Sequence, residues 1–163
     1  MLLRNYYRAL SYFMTKNSNA EPIVNPTGAV SSSTISGSYA IDLQRAMQTV
    51  AKSYGNDCVV FGDGDAAVTI HDYKLSGNTL NVVGTVASSY VYDADGVSVT
   101  NIYTLTNGSD EAITIKEMGI CTNIRSSYSS YALMDRTLLD TPVTIAAGDV
   151  GQVTYTIRMN YPT

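Results

Sequence analysis

The stretch Val59–Gly77, VVFGDGDAAVTIHDYKLSG, collects the residue types best able to do chemistry. Gly62 and Gly64 could cradle a phosphate, Asp63 and Asp65 could hold a cation, and His71 is the sole histidine. A phosphate loop needs a strand before it and a helix after it, so that the helix N-terminus meets the anion. Here β-patterned AAVTIHDYKL follows the turn, and nearby carboxylates would repel phosphate. Calcium favours oxygen clusters such as Asp63 with Asp65, or the second acidic turn at Asp93, Asp95 and Gly96. Neither has the spacing of a calcium loop with its closing glutamate, so Asp-Gly turn chemistry is the simpler reading.

Nucleophilic and metal chemistry fare no better. One histidine and two scattered cysteines, Cys58 and Cys121, do not make a zinc site. A Ser or Cys nucleophile would need His71 as its base, and no Gly-x-Ser-x-Gly elbow is present. Acidic residues that could cut glycosidic bonds sit in turns, and there is no Trp to serve as a sugar platform. The expectation is a chain without enzymatic activity, with no catalytic, metal or cofactor site and with a solvated His71 on a strand.

What elements must position these groups? The 163 residues fit one domain with room for an added arm, and 45% hydrophobic content is enough to build a core. Only 15% of residues are charged, and Thr, Ser, Val and Tyr are plentiful, which favours strands. The 13 tyrosines suit half-exposed strands and protein interfaces. A net charge of −4 gives no support to nucleic-acid binding. No apolar run reaches the roughly 18–20 residues that span a bilayer, so no membrane partner is expected. Asn5 and Arg8 interrupt the opening apolar segment, which argues against a secretory leader. Both cysteines lie in apolar runs and are expected as buried free thiols, with pairing across two sheets as the alternative.

Residues 1–40 are expected to form a docking helix and linker arm. Leu3, Tyr6, Tyr7, Leu10, Phe13 and Met14 make an apolar stripe at helical spacing over 2–16. Its partner is either the chain's own domain or a neighbouring subunit. Residues 17–38, with two prolines, two glycines and many hydroxyls, read as an arm that orders only against a partner. Residues 41–163 are expected as a β-sandwich domain. It opens with a short helix over about 41–54, or a strand in its place, and strands follow from about 57. CVVF reads as a buried strand. The segments TLNVVGTVASSYVY, VSVTNIYTLT and QVTYTIRM alternate with period two, the pattern of antiparallel sheets with one buried face. Turn sequences at 76–78, 93–96, 106–110 and 146–149 separate them. Seven or eight strands in an antiparallel β-sandwich, immunoglobulin-like or jelly-roll-like, are expected.

Two local irregularities stand out. In EAITIKEMGICTNI the apolar phase shifts between Ile115 and Met118, which predicts a bulge around 117–119. Glu117 and Arg136 both interrupt apolar strands and are candidates to pair, with two separate surface charges as the alternative. In HDYKL, Tyr73 and Leu75 are expected to pack down while Asp72 bonds nearby backbone, making the opening stretch a structural connector.

Several segments together resemble tailed-bacteriophage virion structural proteins. In that family a strand leads to a Gly-x-Gly turn, a Thr-containing stretch and Asp-Tyr-x-Leu. Gly62, Gly64, Thr69, Asp72, Tyr73 and Leu75 occupy those places here. YTLTNGSDEAITIKEMGI resembles the family's strand, Asn-Gly turn and strand ending in Glu-apolar-Gly-apolar. LMDRTLLDTPVTIAAGDVGQVTYTIRMN resembles its closing element. The similarity spans about 58–160; Asp63 and Asp65 stand where the family usually carries Thr. The resemblance implies a particle component in tail, connector or capsid surface, made in the host cytoplasm and located in the virion. Its implied partners are copies of itself and other virion proteins, with residues 1–40 reaching onto adjacent subunits. The alternative is a secreted or surface-displayed module binding carbohydrate or a host receptor. Tyr90, Tyr92, Tyr128 and Tyr131 would be its contact residues, and 125–135 its exposed loop.

Overall fold

The computed structural model describes residues 23–31, 46–55, 57–123 and 131–161 of the chain. The expected helix with Leu3, Tyr6, Tyr7, Leu10, Phe13 and Met14 lies outside the described residues. The protein is mainly β. In chain order the strands are β1 Ile23–Val24, β2 Val30–Ser31, β3 Cys58–Gly62, β4 Val82–Tyr92, β5 Gly96–Asn107, β6 Ile113–Asn123, β7 Tyr131–Ile145 and β8 Val150–Asn160. Two three-stranded sheets result, ordered β3-β6-β7 and β4-β5-β8, and every strand pair within them is antiparallel.

The period-two segments explain the second sheet. Val82 and Val86 on β4, Tyr103 and Leu105 on β5, and Val153 and Tyr155 on β8 share one face, as their register requires. That face meets Val59, Phe61, Ile115, Met118, Ile120 and Ile145 of the first sheet in a single apolar cluster. Phe61 and Tyr103 touch edge to face across it, ring centroids 5.5 Å apart. The other face of β4-β5-β8 is a wet Thr ladder, with Thr100 and Thr156 hydroxyls 3.0 Å apart.

The first sheet is buried on both faces, which is why CVVF carries no alternation: all of β3 is buried. Its second face, with Cys58, Val60, Cys121 and Leu133, packs under Leu75, Tyr54 and Val68. Cys58 and Cys121 are register partners, both buried and free.

Several expectations change. The segment AAVTIHDYKL is not a strand: residues 63–78 form an irregular loop, and the exposed His71 sits in a turn closed by the Asp72 amide on the Thr69 carbonyl, 3.1 Å. Glycines on both flanks and the needs of Glu117, described below, override its β composition. The expected helix over 41–54 is helical only at Ala46–Met47 among the described residues. Val50 instead pairs parallel with Val59, because the Thr49 carbonyl and Ala51 amide extend the β3 edge. Residues 23–31, read as part of an arm, form a hairpin. Asn25 Oδ1 accepts from the Thr27 and Ala29 amides, and Gly28 takes a φ of 83°. The β6–β7 register shifts between Ile115 and Glu117, where the apolar phase change predicts a bulge, and once more between Ile120 and Cys121. Within the proposed contact loop 125–135, Tyr131 begins β7 and Ala132–Asp135 are buried.

Candidate functional site

The loop 63–78 folds over the outer face of the first sheet because that face holds a charge needing partners. β6 delivers Glu117, which is fully buried, and β7 delivers Arg136, which is 1% exposed. They sit two residues apart in cross-strand register, since Gly119 faces Arg136. This diagonal is within reach of long side chains. Arg136 Nε donates to Glu117 Oε2 at 2.7 Å.

The remaining lone pairs of Glu117 are met by the loop. Its Oε1 accepts from the Gly77 amide at 2.8 Å and the Gly64 amide at 3.2 Å, and from Ser76 Oγ at 3.3 Å. Its Oε2 also accepts from the Ser76 amide at 3.1 Å. Arg136 in turn ties down the other limb of the loop. Nη1 donates to Asp72 Oδ2 at 2.6 Å, and Nη2 donates to the Ala66 carbonyl at 2.7 Å. Asp72 caps its own turn by accepting from the Thr69 amide at 3.0 Å and hydroxyl at 2.7 Å. Burial opposes the Asp72 charge, but the Thr69 donors and the Arg136 guanidinium outweigh it and hold its pKa low. Burial likewise works against the Arg136 charge, and hydrogen bonds to Glu117 and Asp72 raise its pKa nonetheless.

Two glycines are required by close approach. A Cβ at Gly64 would overlap Ser76 Oγ, the Gly77 nitrogen and Glu117 Oε1, and one at Gly77 would overlap Asp63 Oδ1 and the Gly64 nitrogen. Leu75 is buried beneath, and its amide donates to the Tyr54 hydroxyl at 2.6 Å. Burial pushes the Tyr54 phenol up to about 12. Tyr73 is half-buried beside the β1–β2 turn, where a Cβ at Gly28 would stand 3.7 Å from its ring. The structure thus brings Asp72, Glu117 and Arg136 into one cluster, with Tyr73 beside the hairpin.

Both oxygens of Glu117 are engaged by internal donors and shut from solvent, so it has no access to a substrate proton. The acidic turns are also spoken for. Asp63 accepts from the Asn78 amide at 2.7 Å, Asp65 meets Lys116 at 3.1 Å, and Asp93 takes both Nη atoms of Arg158 at 2.8 and 2.9 Å. No group of three or more His, Cys, Asp or Glu converges on one point among the described residues.

A second feature includes Tyr90 and Tyr92, named above as contact residues. Beyond the shared core, the inner face of β4-β5-β8 continues as Tyr90, Tyr92, Val97, Val99, Ile157 and Met159. Tyr90 is 70% exposed and Tyr92 68%. Met47, bound to Tyr103 Oη through its carbonyl, marks the edge of a hollow of about 500 Å³ on this face. Period two told which residues share the face, but not where the opposing layer stops. Ser76, Tyr54 and the Ala66 carbonyl also gave no signal, because their roles depend on how the loop closes.

Set against protein-family models, curated proteins and solved structures, the chain matches none of them.

Proposed function

We propose that the chain is a structural component of a bacteriophage virion, acting by contact with copies of itself and with other virion proteins. Its place would be the tail, connector or capsid surface. On this reading it is not an enzyme, carries no cofactor and engages neither nucleic acid nor membrane. Its two sheets make an antiparallel β-sandwich of immunoglobulin-like or jelly-roll-like kind.

The observation that carries the proposal is the apolar strip on which Tyr90, Tyr92 and Met159 stand exposed beside half-buried Val97, Val99 and Ile157. A contiguous exposed apolar surface of this kind marks a contact with another molecule. Tyrosine supplies large rigid contact area at low entropic cost. The buried Glu117–Arg136 cluster is engaged by internal partners, which leaves the exposed tyrosines as the surface groups available for contact. The motif order around Gly62–Leu75 and the closing strands supports a particle component in particular.

Mass spectrometry of purified particles tests this. The chain is expected in stoichiometric amounts with the particle proteins, and its absence from intact particles would overturn the proposal.

Carbohydrate or receptor binding is the second reading, favoured by the same exposed tyrosines. Tyr90 and Tyr92 meet edge to face at 72°, centroids 5.7 Å apart, so they do not form a flat stacking platform. Selective binding on a glycan array, weakened by Tyr90→Ala, would favour that reading over assembly.

A further inference from the structure

Strand β4 is an edge that no other described strand covers. It pairs with β5 on one side only; on its other side the Val82 amide turns back to the Leu80 carbonyl at 2.9 Å, and among the described residues no strand pairs with the rest of that edge. Its eleven residues, VVGTVASSYVY, include no charge and no proline. Natural sheets usually protect such an edge with Lys, Pro or a bulge, because open N–H and C=O groups recruit another strand. The opposite edge, β8, follows that rule through Arg158, which is held over the sheet by Asp93. β4 does not.

We propose that β4 pairs antiparallel with β4 of a second copy, joining two three-stranded sheets into one continuous six-stranded sheet about a two-fold axis. The occupant is a second copy rather than a foreign strand because β4 is complementary to itself. Pairing of all eleven residues sets Val82 against Tyr92 of the other copy and places the axis at Ala87. Each Tyr90 then faces the bare Gly84, and each Tyr92 faces the β-branched Val82, both favourable cross-strand pairings for an aromatic ring. Residues on the same face remain together, so the exposed strips of the two copies become one surface. The strand carries no charge, so two copies of it meet with no like-charge pair directly opposed.

This names a contact for the assembly reading, yet the two fail separately. A β4-paired dimer absent from particles would end only the virion proposal, and a strictly monomeric chain found in particles would end only this one.

The test uses the full chain and its register. Sedimentation or light scattering should show a dimer at tens of micromolar. Ala87→Cys should form an intermolecular disulfide under mild oxidation, since directly opposed antiparallel residues have Cα atoms about 4.5–5.5 Å apart. Val83→Cys is the control. In this register the two Val83 positions lie about 27 Å apart, eight residues along the strand, and should not link. Ala87→Lys, at an exposed position, should weaken dimerisation at least tenfold while leaving the melting temperature of the dilute monomer unchanged. A monomer throughout this range overturns the proposal. So does a dimer that Ala87→Lys leaves intact, or one that links through Val83→Cys and not Ala87→Cys.

Discussion

Arg136 on β7 reaches through the outer face of its sheet to Asp72 in the covering loop, with Nη1 and Oδ2 2.6 Å apart. The same guanidinium holds Glu117 on β6 by its Nε. One side chain therefore joins the sheet to its cover, and the strength of that joint sets several expectations.

Removing one member strands the other. Glu117→Ala should destabilise the fold by about 3–5 kcal/mol, because Arg136 and three loop amides lose their buried acceptor. The double change Glu117→Leu with Arg136→Met should cost clearly less than the sum of the single changes. Denaturant unfolding of the four chains in a double-mutant cycle measures this; strict additivity would dismiss the pair as a unit.

Gly64 and Gly148 separate packing from backbone strain. Gly64→Ala forces Ser76, Gly77 and Glu117 apart and should cost about 2–3 kcal/mol. Gly148 has a φ of 73° and open space around it, so Gly148→Ala should cost only about 1–2 kcal/mol, from strain alone. Equal melting-temperature losses would contradict the crowding seen at Gly64.

Acid should loosen the cover. Asp72 has a lowered pKa in the folded chain, so its contribution is present above the unfolded value near 4. It is lost as pH falls through the lower folded value. Asp93, held by Arg158 and brought to about 2, acts in the same direction. Melting temperature measured from pH 6 to pH 2 should fall at the acid end, and Asp72→Asn should flatten that slope while lowering stability at pH 6. An unchanged slope in Asp72→Asn would exclude Asp72 as its source.

The two thiols should react slowly. Cys58 and Cys121 are buried partners across β3 and β6; their shared hydrogen bond lowers the Cys58 thiol and raises that of Cys121, and burial keeps reagents from both. Labelling with a thiol reagent at pH 8 should be slow in buffer and rapid in denaturant. Fast labelling of the folded chain would contradict this packing.

Calcium at millimolar concentration should leave the melting temperature unchanged, because Asp63 and Asp65 serve Asn78 and Lys116 rather than a common centre. A rise of several degrees would show that the acidic turn rearranges around the ion.

The strands were legible in the sequence where side chains alternate. Val97, Val99, Tyr103 and Leu105, or Val153, Tyr155 and Ile157, announce their face, because a pleated strand forces neighbours to opposite sides. Glu117 and Arg136 were legible for a related reason: a charge within an apolar strand must find a partner. The segment AAVTIHDYKL misled. Its residues have the composition of a strand, yet it lies as a loop whose carbonyls turn inward to Arg136, while the flanking Gly64, Ser76 and Gly77 amides bind Glu117.

By itself, then, the amino-acid order determined a β protein with antiparallel pairing, its face-sharing residues and a candidate ion pair. These follow from chain geometry and the cost of burying charge, which are local. Tertiary structure alone decided that the glycine-rich loop closes over Glu117, that the thiols stand side by side, and that Tyr90 and Tyr92 lie beyond the covering layer. Those outcomes depend on which distant segments come together, and no periodicity along one strand records where its neighbour ends.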